Sequence, residues 1–239
     1  MDVLANNLAN VNTTAFKPIE VVLGERARAP ESVQSSTNSR RLLEQLGGGT
    51  RIAYSGINLS QGSVEATSVK TDLALEGQGF VRLEDTKDGA KALTRDGRLY
   101  FDDSGVLRHR ASNRAVLNEN AKPIQLDDEE QLRFEGFRSD GALIDRTDPV
   151  KPLAMLGLVN APEKSLKLDG RNILETKADL KDASDVRVRG GALESSTADP
   201  VTGMVQIIKL TRDIEMNSRM IQYQDAMIGQ AVTALGRVV

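Results

Sequence analysis

The stretch DPVTGMVQIIKLTRDIEMNSRMIQYQDAMIGQAVTALGRVV, residues 199–239, holds the strongest pattern in the chain. Asp199-Pro200 reads as a helix start. Aspartate accepts hydrogen bonds from the free N–H groups of a first turn, and proline, which has no N–H to lose, suits the first helical position. Beyond it Ile207, Ile214, Ile221, Ile228 and Leu235 recur at intervals of seven, the period of a coiled-coil or helix-bundle seam. The companion positions are mixed: Leu210 and Ala231 are apolar, Asn217 and Gln224 polar, while Met216, Met220 and Met227 widen the apolar surface. Burying each isoleucine contributes roughly 1.5–3 kcal/mol, and a lone helix offers nothing to bury it against. A core helix of a globular domain is the alternative reading.

The opposite end is also helical in pattern. Leu4, Leu8, Val11 and Ala15 are spaced four, three and four apart, one stripe of an amphipathic helix. Asn6, Asn7, Asn10 and Asn12 lie between them and are poor helix formers, so this short helix needs a partner. Pro18 stops it, because the residue before a proline is pushed out of the α region. Residues 25–49 then turn polar and end in Gly47-Gly48-Gly49, which reads as a linker or loop with room for a helical turn at 42–46.

From about Thr50 to Arg189 the pattern is one of short runs punctuated by turns. Asp88-Gly89, Asp96-Gly97, Asp140-Gly141 and Asp169-Gly170 each offer the positive φ that tight hairpins require. The runs 52–59, 73–83, 98–101, 106–109 and 153–159 read as strands between them. The expected class is α+β: N- and C-terminal helices pairing in a coiled-coil or bundle stem, with a central antiparallel β domain. The expected division is 1–24 (helix and extended segment), 25–49 (polar loop), 50–190 (β domain) and 191–239 (C-terminal helix).

Composition narrows the function classes. Hydrophobic residues make up 39% and aromatics 3% of the 239 residues, with no tryptophan. That is thin for one enzyme core, and it implies apolar surface buried only against partners. Net charge is −3 and no basic stripe runs along the chain, so nucleic acid is not an expected partner. No apolar run approaches the ~20 residues that span a bilayer, so membrane insertion is not expected. The N-terminus lacks a basic and then apolar signal peptide, which read alone says cytoplasmic. With no cysteine there is no disulfide, thiolate zinc site or cysteine nucleophile.

The search for catalytic constellations comes up empty. Gly77-Gln78-Gly79 starts a dinucleotide fingerprint, but Arg82 stands where the third glycine belongs, and a turn or close-packed glycine pair is the simpler reading. His109 is the sole histidine, so any triad must run through it; it is expected on a surface strand between Arg108 and Arg110. Asp127-Asp128-Glu129-Glu130 reads as a solvated acidic loop, and Asp102-Asp103-Ser104-Gly105 as a hairpin turn lacking the later ligands of a calcium loop. No cofactor, metal site or enzymatic activity is expected.

Four segments in order resemble the flagellar axial proteins, the rod and hook family. Leu4-Ala5-Asn6-Asn7-Leu8-Ala9-Asn10-Val11-Asn12-Thr13-Thr14-Ala15-Phe16-Lys17 is similar to that family's N-terminal signature, with Ala15 in place of a usual glycine. Gln61-Gly62-Ser63-Val64-Glu65-Ala66-Thr67, with Thr71-Asp72-Leu73-Ala74-Leu75-Glu76-Gly77-Gln78-Gly79-Phe80, resembles its Gln-Gly segment and following strand pair, Val81 replacing a second phenylalanine. Thr94-Arg95-Asp96-Gly97-Arg98-Leu99 is near its Thr-Arg-x-Gly turn. Gly191-Ala192-Leu193-Glu194-Ser195-Ser196, running on to Met204-Val205-Gln206-Ile207-Ile208, resembles its approach to the C-terminal helix. The resemblance spans nearly the whole chain.

Such a resemblance implies a structural subunit of the basal-body rod whose terminal helices pair into an inner tube and transmit torque. The implied partners are other rod and hook proteins, copies of the same chain and the flagellar export apparatus. It also implies export to the periplasmic rod without a cleaved signal, against the plain cytoplasmic reading. The assembly interface would be formed by Leu4, Asn6, Asn7, Leu8, Asn10 and Val11 with Ile207, Ile214, Asn217, Ile221, Gln224, Ile228 and Leu235, the polar members fixing register. Leu168-Asp169-Gly170-Arg171-Asn172-Ile173-Leu174 resembles a segment of the proximal rod members, although a hairpin turn explains it equally. A distal-rod or hook-type subunit, or an oligomeric binding module outside the flagellum, is the alternative. Family members carry further helical turns ahead of the first signature, where this sequence starts at Asp2-Val3-Leu4.

Overall fold

A computed structural model describes residues 1–25, 50–86, 88–183 and 185–236. It is α+β, with a many-stranded antiparallel body and a helix at each end. The chain divides into two units: Asn12–Thr197, and Met1–Val11 with residues 198–236.

The larger unit is the β body. Its strands are β1 (Ile19–Glu25), β2 (Thr50–Ile57), β3 (Val64–Ala66), β4 (Leu73–Glu76), β5 (Phe80–Leu83), β6 (Lys91–Thr94), β7 (Leu99–Phe101), β8 (Leu107–His109), β9 (Phe134–Phe137) and β10 (Ala142–Asp145). They continue as β11 (Ala154–Met155), β12 (Leu158–Asn160), β13 (Lys167–Gly170), β14 (Ile173–Thr176), β15 (Lys181–Asp182), β16 (Arg187–Gly190) and β17 (Ala192–Glu194). The largest sheet runs β13-β14-β6-β5-β12-β15, every pairing antiparallel.

Both faces of that sheet are covered. Val81, Leu83, Ala92 and Ile173 enter one apolar cluster with Leu75, Leu99, Leu107 and Leu143. Their strand neighbours Phe80, Leu93 and Leu174 enter a second cluster with Val159, Ala161 and Leu166. Because side chains alternate along a strand, a sheet covered twice needs apolar residues at odd and even positions alike. Phe134 bridges Phe101 and Phe137 in the first cluster, its ring edge-on to each at centroid distances of 5.5 and 5.3 Å.

Pairing joins early strands to late ones: β3 with β17 and β4 with β16. The strand β17 falls inside the span assigned from sequence to the C-terminal helix; that helix starts only at Pro200. The run 73–83 is two strands, because Gly77 takes φ +107 and turns the chain between β4 and β5. Two of the four Asp-Gly pairs make the expected hairpin turns, with Gly89 and Gly141 at φ 72 and 86, whereas Asp169-Gly170 ends β13 and the turn is made by Arg171 and Asn172 at φ 50 and 59. Gly97 is glycine for another reason, namely that a Cβ there would stand 1.6 Å from the Leu73 carbonyl oxygen.

The acidic run is not a loop. Asp127 caps α2 (Asp128–Arg133), and Glu130 reaches back to accept from the Asp127 N–H at 3.1 Å. The strands β1 and β2 pair with each other as a two-stranded ribbon, and Val22, Ile52 and Tyr54 stand exposed on it. The polar stretch beyond Glu25, with the helical turn expected at 42–46, lies outside the described residues.

The smaller unit holds α1 (Asp2–Ala9) and α3 (Pro200–Gly236), which lie against each other. Asp199 caps α3 as expected, its carboxylate accepting from the Val201 N–H at 3.0 Å and the Thr202 N–H at 3.3 Å. These bonds hold its pKa below the ordinary value, the Thr202 side chain contributing most.

Candidate assembly interface

The seam residues fall into three groups. On α1, Leu4, Asn7 and Leu8 are half-buried, as are Asn10 and Val11 just beyond it, while Asn6 is exposed. Asn10 ends the helix: its backbone N–H and its side-chain amide both donate to the Asn6 carbonyl, at 3.2 and 2.9 Å. On α3, Ile207 and Leu210 are half-buried beside Gly203, whose open Cα side faces Leu8 at 3.8 Å from where a Cβ would sit. Farther along, Ile214, Ile221 and Ile228 are 52, 59 and 62% exposed, and Asn217 and Gln224 are exposed with them. The Leu235 side chain is outside the described residues.

The short helix therefore meets only the first turns of a 37-residue partner. Past Leu210 the exposed residues include Met216, Met220, Tyr223, Met227 and Val232 as well as the three isoleucines. Large apolar side chains at such density on one helix make it the candidate interaction surface. No described helix is long and apolar enough to cross a membrane.

Sequence reasoning missed a second constellation, a buried ion cluster in the β body. Glu194 at the end of β17 is 1% exposed. Its Oε1 accepts from Lys17 Nζ at 2.5 Å and from the Gly62 N–H at 2.8 Å, and its Oε2 accepts from Arg95 Nε at 3.0 Å. Two cations thus share one carboxylate. Carbonyl oxygens take further donors: Ser60 from Lys17 at 2.5 Å, and Leu75 and Gly77 from Arg95 Nη2 at 3.3 and 3.0 Å. Arg95 also lies 5.9 Å over the Phe80 ring. Burial pushes the Lys17 pKa below its ordinary value, against the pull of Glu194.

Each of the four segments that carry the family resemblance supplies part of this cluster. Lys17 closes the first, Gly62 and Gly77 belong to the second, Arg95 to the third and Glu194 to the fourth. Gln61 ties the second segment to itself, donating to the Leu75 carbonyl and accepting from the Gly77 N–H. Nothing in the four segments singles out Lys17, Arg95 and Glu194, since Glu65, Asp72, Glu76, Asp96 and Arg98 lie in them too.

His109 is buried, not on the surface, because β8 turns Leu107 and His109 inward and Arg108 outward. Its Nδ1 is 2.8 Å from Ser112 Oγ, and its Nε2 stands 3.4 Å from Asp96 Oδ2 without an aligned hydrogen bond. Burial pushes the Asp96 carboxyl up, but the imidazole and the Arg98 guanidinium outweigh it and hold the group below its ordinary value. A ring with no exposed surface is closed to any reactant. The Asp102–Gly105 stretch is the expected turn between β7 and β8, Asp102 Oδ1 accepting from the Ser104 and Val106 N–H groups at 3.0 and 2.8 Å.

Comparison with known proteins adds to this picture. Residues 1–17 match the family model described as flagella basal body rod protein, and residues 189–234 match that of the flagellar basal body rod FlgEFG protein C-terminal. The flagellar basal-body rod protein FlgF of Caulobacter vibrioides is 27% identical over 100% of this chain and 92% of its own length. The flagellar basal-body rod protein FlgG of Borreliella burgdorferi is 30% identical over 97% of this chain and 91% of its own length. The flagellar hook protein FlgE of Helicobacter mustelae is 27% identical over 85% of this chain, but only 44% of its own length is matched. With both ends matched by rod models and full-length likeness to two kinds of rod protein, the chain belongs to the flagellar basal-body rod protein family.

Proposed function

We propose that this chain is a structural subunit of the bacterial flagellar basal-body rod, assembling through its terminal helices with copies of itself and with other rod and hook proteins, and transmitting torque. The observation that carries the reading is α3: more than half of a long helix presents isoleucine and methionine to solvent, with α1 covering only its start. In the assembled rod the terminal helices pair as a coiled-coil or bundle stem, Ile214, Ile221 and Ile228 enter the seam, and Asn217 and Gln224 set its register. The subunit reaches the periplasmic rod through the flagellar export apparatus, without a cleaved signal.

Ile221→Asp tests this. A charge at a buried seam costs on the order of several kcal/mol, so cells carrying only the variant should be non-motile and build no complete rod. Motile cells with full-length rods would remove Ile221 from the seam. A second reading places the subunit in the distal rather than the proximal rod; identity to FlgF and FlgG relatives together runs from 27 to 30%. A hook subunit fits less well, since the hook relative is much longer than the matched region. Nothing observed favours a binding module outside the flagellum.

A further inference from the structure

The cluster around Glu194 joins segments from opposite ends of the β body. Residues 12–17 lead from α1 into the body, and residues 194–197 lead from it towards α3. Within the body the two run side by side: the Ala15 N–H donates to the Glu194 carbonyl at 2.7 Å, and the Thr197 N–H to the Phe16 carbonyl at 3.3 Å. Ala15 and Phe16 are buried there at 4 and 3% exposure. Asn172, in the left-handed turn between β13 and β14, donates its side-chain amide to the Thr14 carbonyl on the same segment.

Electrostatics makes this junction cooperative. Lys17 and Arg95 are 3% exposed at the side chain, and among the described residues Glu194 is the only carboxylate that forms an ion pair with either. If residues 194–197 lift away, two buried cations are left with carbonyl oxygens alone. If residues 12–17 lift away, Glu194 keeps Arg95 but loses Lys17, and the backbone bonds from Ala15 and Thr197 go with it. An ionised group stripped of its partner in a dry site is strongly unfavourable, so partial opening is penalised from either side. The six-stranded sheet carries no such burden, because apolar clusters on its two faces hold it.

We infer that Glu194 is a latch through which the two lead segments, residues 12–17 and 194–197, open and close as one unit, separately from the six-stranded sheet. A disturbance at one terminal lead is therefore felt at the other, whichever axial position the chain occupies.

Amide hydrogen exchange on the full-length chain tests this with Lys17→Met and Glu194→Gln. Lys17→Met leaves the Arg95–Glu194 pair intact and alters only the N-terminal lead. The latch predicts that it speeds exchange roughly tenfold or more at both Ala15 and Thr197, and at Ser195, whose N–H donates to the Ser63 carbonyl. Amides of Leu93 and Leu174 in the six-stranded sheet keep their wild-type rates. Glu194→Gln should give the same pattern with larger factors. Faster exchange in Lys17→Met at Ala15 and Thr197, whose bonds both span the two leads, with Ser195 unchanged would overturn the coupling. So would an equal rise at Leu93 and Leu174, which would show that the leads have no opening of their own, and so would unchanged rates. Should Glu194→Gln fail to fold, Lys17→Met alone decides.

Discussion

Two residues show how fine the local fit is. Gly97 sits where an added methyl would meet the Leu73 carbonyl oxygen at 1.6 Å, a backbone atom that cannot swing aside. Gly97→Ala should therefore destabilise the body by about 1–3 kcal/mol, read from the urea midpoint. Asp96 predicts a pH dependence. Its carboxyl lies below the ordinary 3.8 when folded, so its stabilising contribution is present in full above that value and is lost as pH falls through the folded pKa. Denaturation midpoints followed from pH 7 to 3 should decline on the acid side, and Asp96→Asn, less stable at neutral pH, should decline less. Equal acid limbs would refute the pairing. Neither role was legible in the sequence. Asp96-Gly97 reads as a positive-φ turn like the other three Asp-Gly pairs, and only the approach of Leu73 from β4 makes that glycine obligatory. His109 was placed outside because its arginine neighbours look solvated, yet alternation along β8 turns a residue between two arginines inward.

At the scale of elements, the C-terminal helix was the most legible part; the N-terminal one ends at Ala9 and not at Pro18, with Ala15 of the expected stripe at φ 53 and buried. Asp199-Pro200 marks the start of α3, and the seven-residue spacing survives because each isoleucine shares one face of a continuous helix. The short strands were located but not delimited. The stretch 73–83 reads as one strand because β4 and β5 are both buried and apolar, yet they belong to different sheets and the break depends on one glycine dihedral. β17 was hidden in an approach segment, since three residues give no period and only pairing with β3 defines them. The exposed seam yields a sharp contrast for Ile221→Asp. In the isolated chain this residue is 59% exposed, so the body's urea midpoint should stay within about 0.5 kcal/mol of wild type while assembly fails. A variant that unfolds the body would mean that Ile221 acts inside the subunit and not between subunits.

For the molecule as a whole, two kinds of interaction divide the work. Apart from the exposed β1–β2 ribbon, the β body buries its apolar residues in its own two clusters and ties residues 12–17 to 194–197 with the Lys17–Arg95–Glu194 cluster. The helices do not bury all of theirs: past Leu210 the long helix leaves Ile214, Ile221 and Ile228 exposed, which is what the proposed assembly with copies and partners rests on. The family resemblance in the sequence located the segments that matter, and their convergence on one buried carboxylate gives a physical reason for a lysine, an arginine and a glutamate lying so far apart in the chain. Spacing in a linear sequence carries no information about which distant charges meet, so that convergence stayed invisible until the fold was known. The most direct measurement is electron cryotomography of basal bodies in cells lacking this chain. Rods that stop short are the expected result, and the stopping point separates a proximal from a distal place. Complete rods bearing rotating filaments would contradict the assignment as a rod subunit.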